Sequence, residues 1–251
     1  MFEYSPYVID FNEENTDLNN KNIAKILSQK KSNDTITIAI TGDTHRDFDE
    51  IEVFADTVNN IYTEENIDFV IHTGDIADFG LPKQYLWGNS NLQKLKIPYI
   101  VVLGNHDIVG NGEEAYRTMF GNENFSFIYD SIKFIAINTN SREFKFDGTV
   151  PDINWLDSQL KPTSEFTKAV VIFHVPPMDL DFDSNLEEDF SKIISKYNNV
   201  LIAIHGHTHR FEVYTPYDDG VIYLNVDTIA HKNFCIVKIT KDTVNIETYD
   251  L

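Results

Sequence analysis

Cysteine is almost absent from this chain: Cys235 is the only one in 251 residues. That excludes an internal disulfide and any cysteine cage for zinc. The neighbours Asn233, Phe234, Ile236 and Val237 read as strand, which makes Cys235 a buried, chemically quiet thiol. Long apolar runs are missing too, and none reaches the roughly 18 to 20 residues that cross a bilayer. The opening residues, Met1-Phe2-Glu3-Tyr4-Ser5-Pro6-Tyr7, lack the basic and apolar regions of a secretory signal. The cytoplasm is therefore the default compartment, with an exported or envelope-attached form left open if a leader has been removed. Positive charge is scarce, with 20 Lys and Arg against 40 Asp and Glu, a net charge of −20. Such a surface repels nucleic acid, which needs several basic contacts to phosphates, and it repels anionic membranes. Nucleic acid is thus a disfavoured partner. Nothing in the sequence speaks to the oligomeric state.

What the chain does have is enough apolar content for a substantial core, 42% hydrophobic residues. From residue 36 onward, short β-rich runs alternate with segments of helical period. Strands are expected at 36–40, 67–72 and 99–103, and helices at 49–62 and 82–95, the latter opened by Pro82. This alternation implies a parallel sheet covered by helices. A helix at 113–120 follows, then paired strands at 125–129 and 132–138. Next come a helix near 151–160, a strand at 169–173, a helix near 186–197 and a strand at 200–204. The end reads as strand throughout: 211–214, 221–226, 234–239 and 244–249, with Asp218-Asp219-Gly220 marking a turn. The Asn-rich stretch at 12–22 reads as a polar lead-in to a short helix over 23–27. There is no linker, repeat or low-complexity tract. The expected organisation is an N-terminal extension, 1–34, packing on a single domain, 35–251.

The informative feature is where polar groups fall. Open α/β sheets bind ligands at the carboxyl ends of their strands. Each buried run here ends in groups able to bind a metal: Gly42-Asp43-Thr44-His45, Gly74-Asp75-Ile76-Ala77-Asp78, Gly104-Asn105-His106-Asp107, His174-Val175-Pro176-Pro177 and His205-Gly206-His207-Thr208-His209.

These blocks resemble the calcineurin-like metallophosphoesterase superfamily, whose pattern is D-x-H, GD, GNH(D/E), a lone H and GHxH. All five occur in that order between residues 43 and 209. The resemblance implies an α/β fold, a four-layer α/β/β/α sandwich with two mixed central sheets. It also implies a metal-dependent hydrolase of phosphate esters, a phosphodiesterase or phosphomonoesterase with a dinuclear centre and a bridging hydroxide nucleophile. Position by position, Asp43, His45, Asp75 and His209 would hold one metal. Asp75, Asn105, His174 and His207 would hold the other, with Asp75 bridging. The ions would be divalent or mixed-valence, and imidazole and carboxylate ligands suit manganese, iron or zinc. Two divalent ions bring four positive charges, against which Asp43, Asp75 and a hydroxide set three, so the site attracts phosphate on an acidic protein. His106 matches the family's non-ligand histidine, placed to protonate the leaving oxygen. Asp78 matches the carboxylate that orients it. Asp107 could hold a ligand in place. The alternative is a metal-binding scaffold or recognition module of this fold without significant turnover.

Other polar groups have plainer readings. His72 and His231 read as core or surface histidines, and the orientation of His205 is open. Arg46 could contact substrate. Tyr85, Trp87, Trp155 and the many phenylalanines read as core. Substrate choice should lie in the loops 111–117, 139–150 and 176–185, and the expected partner is a small-molecule phosphate ester. Phe79-Gly80 follows Asp78 where protein Ser/Thr phosphatases carry Arg-Gly, and GNHD replaces their GNHE. Purple acid phosphatases carry a tyrosine ligand where this chain has Asp78. The iron-loaded protein is therefore expected to show no tyrosinate-to-iron charge-transfer band, which a visible absorption spectrum checks directly.

Overall fold

A computed structural model describes residues 5–29 and 34–251. Residues 1–4 and 30–33 of the expected N-terminal extension lie outside the described residues. The strands are β1 (Ile36–Thr41), β2 (Phe69–His72), β3 (Tyr99–Val101), β4 (Phe125–Tyr129), β5 (Ile132–Ala136), β6 (Lys168–Ile172), β7 (Val200–His205), β8 (Glu212–Tyr214), β9 (Tyr223–Asn225), β10 (Asn233–Ile239) and β11 (Val244–Asp250). The helices are α1 (Leu18–Ser28), α2 (Phe48–Glu65), α3 (Pro82–Leu92), α4 (Gly112–Met119), α5 (Ile153–Leu160) and α6 (Glu187–Ser195).

The strands form two sheets, in the orders β11-β10-β1-β2-β3 and β4-β5-β6-β7-β9-β8. Both are mixed. β1, β2 and β3 run parallel while β10 and β11 return antiparallel. β5, β6, β7 and β9 run parallel between antiparallel β4 and β8. Side chains of a strand alternate between faces, and burial on both faces of these strands sorts them into distinct cores. Ile36, Ile38 and Ile40 of β1 join Phe69 and Ile71 of β2, Phe134 of β5, Ile172 of β6 and Val237 of β10 in one cluster between the sheets. Ala39, Val70, Val101 and Ile236, from the opposite faces, pack with Phe54 and Val58 of α2 and Tyr116 of α4. Val171 and Ala203 face Leu156 of α5 and Phe190 of α6. Three apolar layers separate four structural layers, which is the expected sandwich.

Where structure and expectation part, a specific contact explains it. The Asn-rich stretch is not a lead-in: α1 begins at Leu18, and Asn19 and Asn22 are buried. Asn19 bonds the backbone of Val101 twice, giving Nδ2–H to its carbonyl at 2.8 Å and taking its N–H at 2.9 Å. The side chain thereby continues the hydrogen-bonding pattern of β3 on the edge where, among the described residues, no further strand pairs with it. Trp87 is not core. It is 47% exposed, edge-on to Phe48 with Lys83 above its ring. Residues 111–117 are mostly the helix α4 rather than a loop. The β4–β5 hairpin turns on Asp130 and Ser131, both at positive φ, without the glycine that usually marks such a turn.

Replacing Asn19 with Ala leaves the buried Val101 N–H without its acceptor. An unsatisfied buried backbone group costs about 1–3 kcal/mol, and urea denaturation of the Asn19→Ala variant is expected to show a loss of that size.

Candidate metal centre

The two sheets deliver their chemistry to one end of the sandwich. The turns after β1, β2 and β3 bring Asp43 and His45, Asp75, and Asn105 and His106. The turns after β6 and β7 bring His174, His207 and His209. Backbone bonds tie the turns together: Asp43 N–H donates to the Gly74 carbonyl and His45 N–H to the Asp75 carbonyl, both at 2.9 Å. Tight reversals are needed to aim the donors, and Asp43, His45, Asp75, His207 and His209 all sit at positive φ, between 50° and 76°. A left-handed backbone is costly for a residue with a Cβ, of order 1–3 kcal/mol, and persists only where the surroundings enforce it. Two glycines make the close approach possible. A Cβ on Gly104 would collide with the Asp75 carboxylate, and one on Gly206 would lie 2.5 Å from Asp43 Oδ2.

The seven residues named as candidate ligands lie near one another, with some contacts inside each expected group and others between them, as from His174 Nε2 to Asp43 Oδ1 at 3.9 Å. In the first, His209 Nε2 lies 3.2 Å from Asp43 Oδ1 and 3.1 Å from His45 Nε2, and His45 Nε2 lies 3.7 Å from Asp75 Oδ2. In the second, Asn105 Oδ1 sits between His174 Nε2 at 3.1 Å and His207 Nδ1 at 3.0 Å, and His174 Nε2 lies 3.2 Å from Asp75 Oδ2. Asp75 faces both groups.

The electrostatics of this cluster suit a cation. Asp43 and Asp75 are almost wholly buried. Burial opposes their charge, yet the surrounding histidines outweigh it and hold both carboxyls below the usual range. Burial also opposes a proton on His174, but the Asp75 carboxylate prevails and lifts that imidazole to about 10. The two buried carboxylates thus favour positive charge on the imidazoles beside them, His174 and His209. Two imidazole nitrogens meeting at 3.1 Å are aimed as ligands are, at a common point between them. The donor set of carboxylate, imidazole and one amide oxygen suits a first-row transition metal, so the residues fit a metal pair.

Around this cluster, Asp107 accepts the N–H groups of Asp75, Ala77 and Gly104 at 2.8–2.9 Å. It therefore fixes the backbone of the second and third turns rather than a ligand side chain. Burial and the neighbouring Asp75 push its carboxyl up to about 7. His106 Nδ1 lies 3.0 Å from the Asp78 carbonyl and 3.2 Å from its Oδ1, leaving Nε2 free, and the ring stands edge-on to His45. Arg46, which could have reached substrate, pairs with Asp78 Oδ2 at 2.9 Å through Nε and lies over Phe79. His205 turns away from the metals. Its ring stacks on Phe173, Nδ1 lies 2.9 Å from the Gly206 carbonyl, and Nε2 meets the Tyr214 hydroxyl at 2.8 Å. His72 is a core histidine bonded to Thr44, and His231 pairs with Asp227 at the surface. Sequence reasoning missed Asp179 and Asp181. They sit in the loop read as substrate-selecting, but approach His207 Nε2 at 3.4 and 3.9 Å. Nothing in their spacing from His174 announces it.

The match to known proteins agrees with this geometry. Residues 36–211 match the model of the calcineurin-like phosphoesterases, and the chain belongs to that family of dinuclear-metal hydrolases of phosphate esters. Over 188 residues it is 27% identical to a probable glycerophosphodiester phosphodiesterase, GpdQ, of Arcobacter nitrofigilis, covering 70% of this chain and 67% of that protein. It is 26% identical over 172 residues to a probable cyclic nucleotide phosphodiesterase of Moraxella catarrhalis, covering 60% of this chain and 61% of that one. A dimetal phosphatase from Danio rerio superposes with a TM-score of 0.70 over 86% of this chain and 96% of its own, at 13% identity, a likeness of fold alone.

The buried neutral histidines set an acid limit on stability. Burial lowers His72 from 6.5 to about 4 and His205 from 6.5 to about 3. The unfolded chain therefore takes up these protons first. Their contribution is complete above pH 6.5 and is lost as pH falls toward 4 for His72 and toward 3 for His205. Urea midpoints of metal-stripped protein are expected to fall over that range, and less steeply in a His205→Gln variant. Midpoints that rise on acidification would contradict the assignment.

Proposed function

We propose that this phosphoesterase prefers small organic phosphodiesters. The observation that carries the preference is that arginines on the loops around the metal cluster are already paired, Arg210 beside His209 with Glu212 at 2.8 Å among them. Arg46 is engaged by Asp78 at 2.9 Å and Arg142 by Asp181 at 2.8 Å. A monoester brings a second negative charge to the phosphate, which a free guanidinium would normally meet. A diester carries one and asks for no more than the centre itself offers. The diester names of the relatives support the same reading, and the net charge of −20 disfavours a nucleic-acid chain as substrate.

In this reading, Asp43, His45, Asp75 and His209 hold one ion, and Asp75, Asn105, His174 and His207 the other. Manganese, iron or zinc suits the donors. When bound, the ions supply positive charge for the phosphate oxygens and bring the pKa of water at the site toward neutrality. The chain's own residues do the remainder. His174 gives its Nδ1 proton to the Thr73 carbonyl at 2.8 Å, which points its Nε2 lone pair inward. His106 holds a proton at the free Nε2 for the departing oxygen, while Asp78 fixes the ring through Nδ1. Arg46, bound to the other oxygen of Asp78, keeps that carboxylate from swinging away. The buried floor of Asp43, Asp75 and Asp107 holds its shape because each accepts or donates backbone hydrogen bonds across the turns.

Bis(p-nitrophenyl) phosphate and p-nitrophenyl phosphate, each with added Mn²⁺, test the preference. The diester is expected to give the larger kcat/KM. His106→Ala should lower kcat by roughly 10²- to 10⁴-fold, the usual span for a lost general acid, with KM little changed. Asp75→Asn should abolish turnover. A larger kcat/KM for the monoester would overturn the diester reading.

A further inference from the structure

We propose that Asp179 is a positioning residue for His207: its carboxylate accepts the imidazole Nε2 proton and so turns the Nδ1 lone pair toward the second metal site. The inference rests on the two-metal reading above and adds a residue to it.

A histidine that binds a metal through one nitrogen carries its proton on the other, and an acceptor for that proton fixes both tautomer and ring orientation. His174 has such an acceptor in the Thr73 carbonyl. Among the described residues, no backbone carbonyl takes that role for His207. Its Nδ1 is committed to the metal side, 3.0 Å from Asn105 Oδ1, and the nearer carboxylate to its Nε2 is Asp179, with Oδ1 at 3.4 Å. Asp181 Oδ2 lies farther, at 3.9 Å, and that residue is engaged elsewhere: Arg142 grips its Oδ1 at 2.8 Å and donates its backbone N–H to the Asp181 carbonyl at 3.1 Å.

The turn that carries Asp179 is built to hold it still. Asp179 N–H donates to the Pro176 carbonyl at 3.2 Å, and the Asp179 carbonyl takes the Phe182 N–H at 3.2 Å. Asp179 Oδ1 accepts the Asp181 N–H at 2.9 Å, which aims the carboxylate. Phe182 is 3% exposed and packs edge-on to Phe190 in the outer core, so the turn is anchored to the body of the fold. Met178, at φ +76°, and Leu180, 86% exposed, flank Asp179 and face outward. One turn thus presents apolar side chains to the surroundings and one carboxylate to a metal ligand.

The test is calorimetric titration of metal-stripped protein with Mn²⁺, together with ¹⁵N NMR of the histidine side chains. Wild type should bind two Mn²⁺, and the zinc-loaded protein should show His207 protonated on Nε2 with that proton shielded from exchange. Asp179→Ala should weaken one of the two sites by about 10- to 100-fold, the usual effect of losing such an acceptor, leave the other within about 2-fold, and speed exchange of the His207 Nε2 proton in the zinc-loaded protein. Asp179→Asn keeps an acceptor oxygen and should recover most of the affinity. Two unchanged sites in Asp179→Ala, or both weakened equally with a lowered Tm, would overturn the proposal while leaving the two-metal reading intact. A wild type binding fewer than two Mn²⁺ would overturn both.

Discussion

Asp43 and Asp75 carry two carboxylates into a region almost wholly shielded from solvent, and the architecture around them answers the need for positive charge there. An unpaired charge in such a place is too costly to keep. The chain meets this with imidazoles, not with lysine or arginine. A guanidinium would neutralise the carboxylates permanently, whereas an imidazole can give up its proton when a metal arrives. Asp75 favours a proton on His174, and a metal taking such an imidazole must displace that proton, which is why binding at ligands of this kind depends on pH. The acidic surface follows the same logic at larger scale: attraction for phosphate is confined to one end of the sandwich instead of being spread over a basic face.

Bringing these side chains together at one end of the sandwich requires rigid turns, and the two sheets provide them. Neither sheet could build the site alone. The first supplies Asp43, His45, Asp75 and Asn105, the second His174, His207 and His209. The packed apolar layer between the sheets sets the distance between those two groups. Asp107 gathers three backbone N–H groups from neighbouring turns, and the His207 N–H reaches across the seam to Asp43 at 3.1–3.2 Å. Five of the seven donors sit at positive φ, so the fold accepts local strain to aim them before any metal binds.

Much of this was legible in the sequence because it is written locally. Strand periodicity and the polar residues following each buried run picked out the seven candidate donors, and the structure brings them together at one end of the sandwich. His106 beside Asp78 was legible for the same reason. What escaped depends on contacts between distant residues. Asn19 looks like part of a polar leader, and only its partner Val101, 82 positions away, explains why it is buried and helical. Trp87 has the size of a core residue, yet it stands on the outward side of α3. Asp179 and Asp181 looked like acids of a variable loop, because the turn that points them at His207 is set by Pro176, Phe182 and Arg142 acting together. His205 could not be oriented from its place beside the GHxH block, since Phe173 and Tyr214 decide it.

The bond from Asn19 to Val101 has a consequence beyond local stability. β3 is the last strand of its sheet, and a bare last strand offers its backbone to any passing chain able to add to it. Asn19 covers part of that border with a side chain that mimics a neighbour, and α1 lays its apolar face alongside. Helix α1 therefore leaves less of this border open to another chain, on the side of the sheet that leads into the Asn105 and His106 turn.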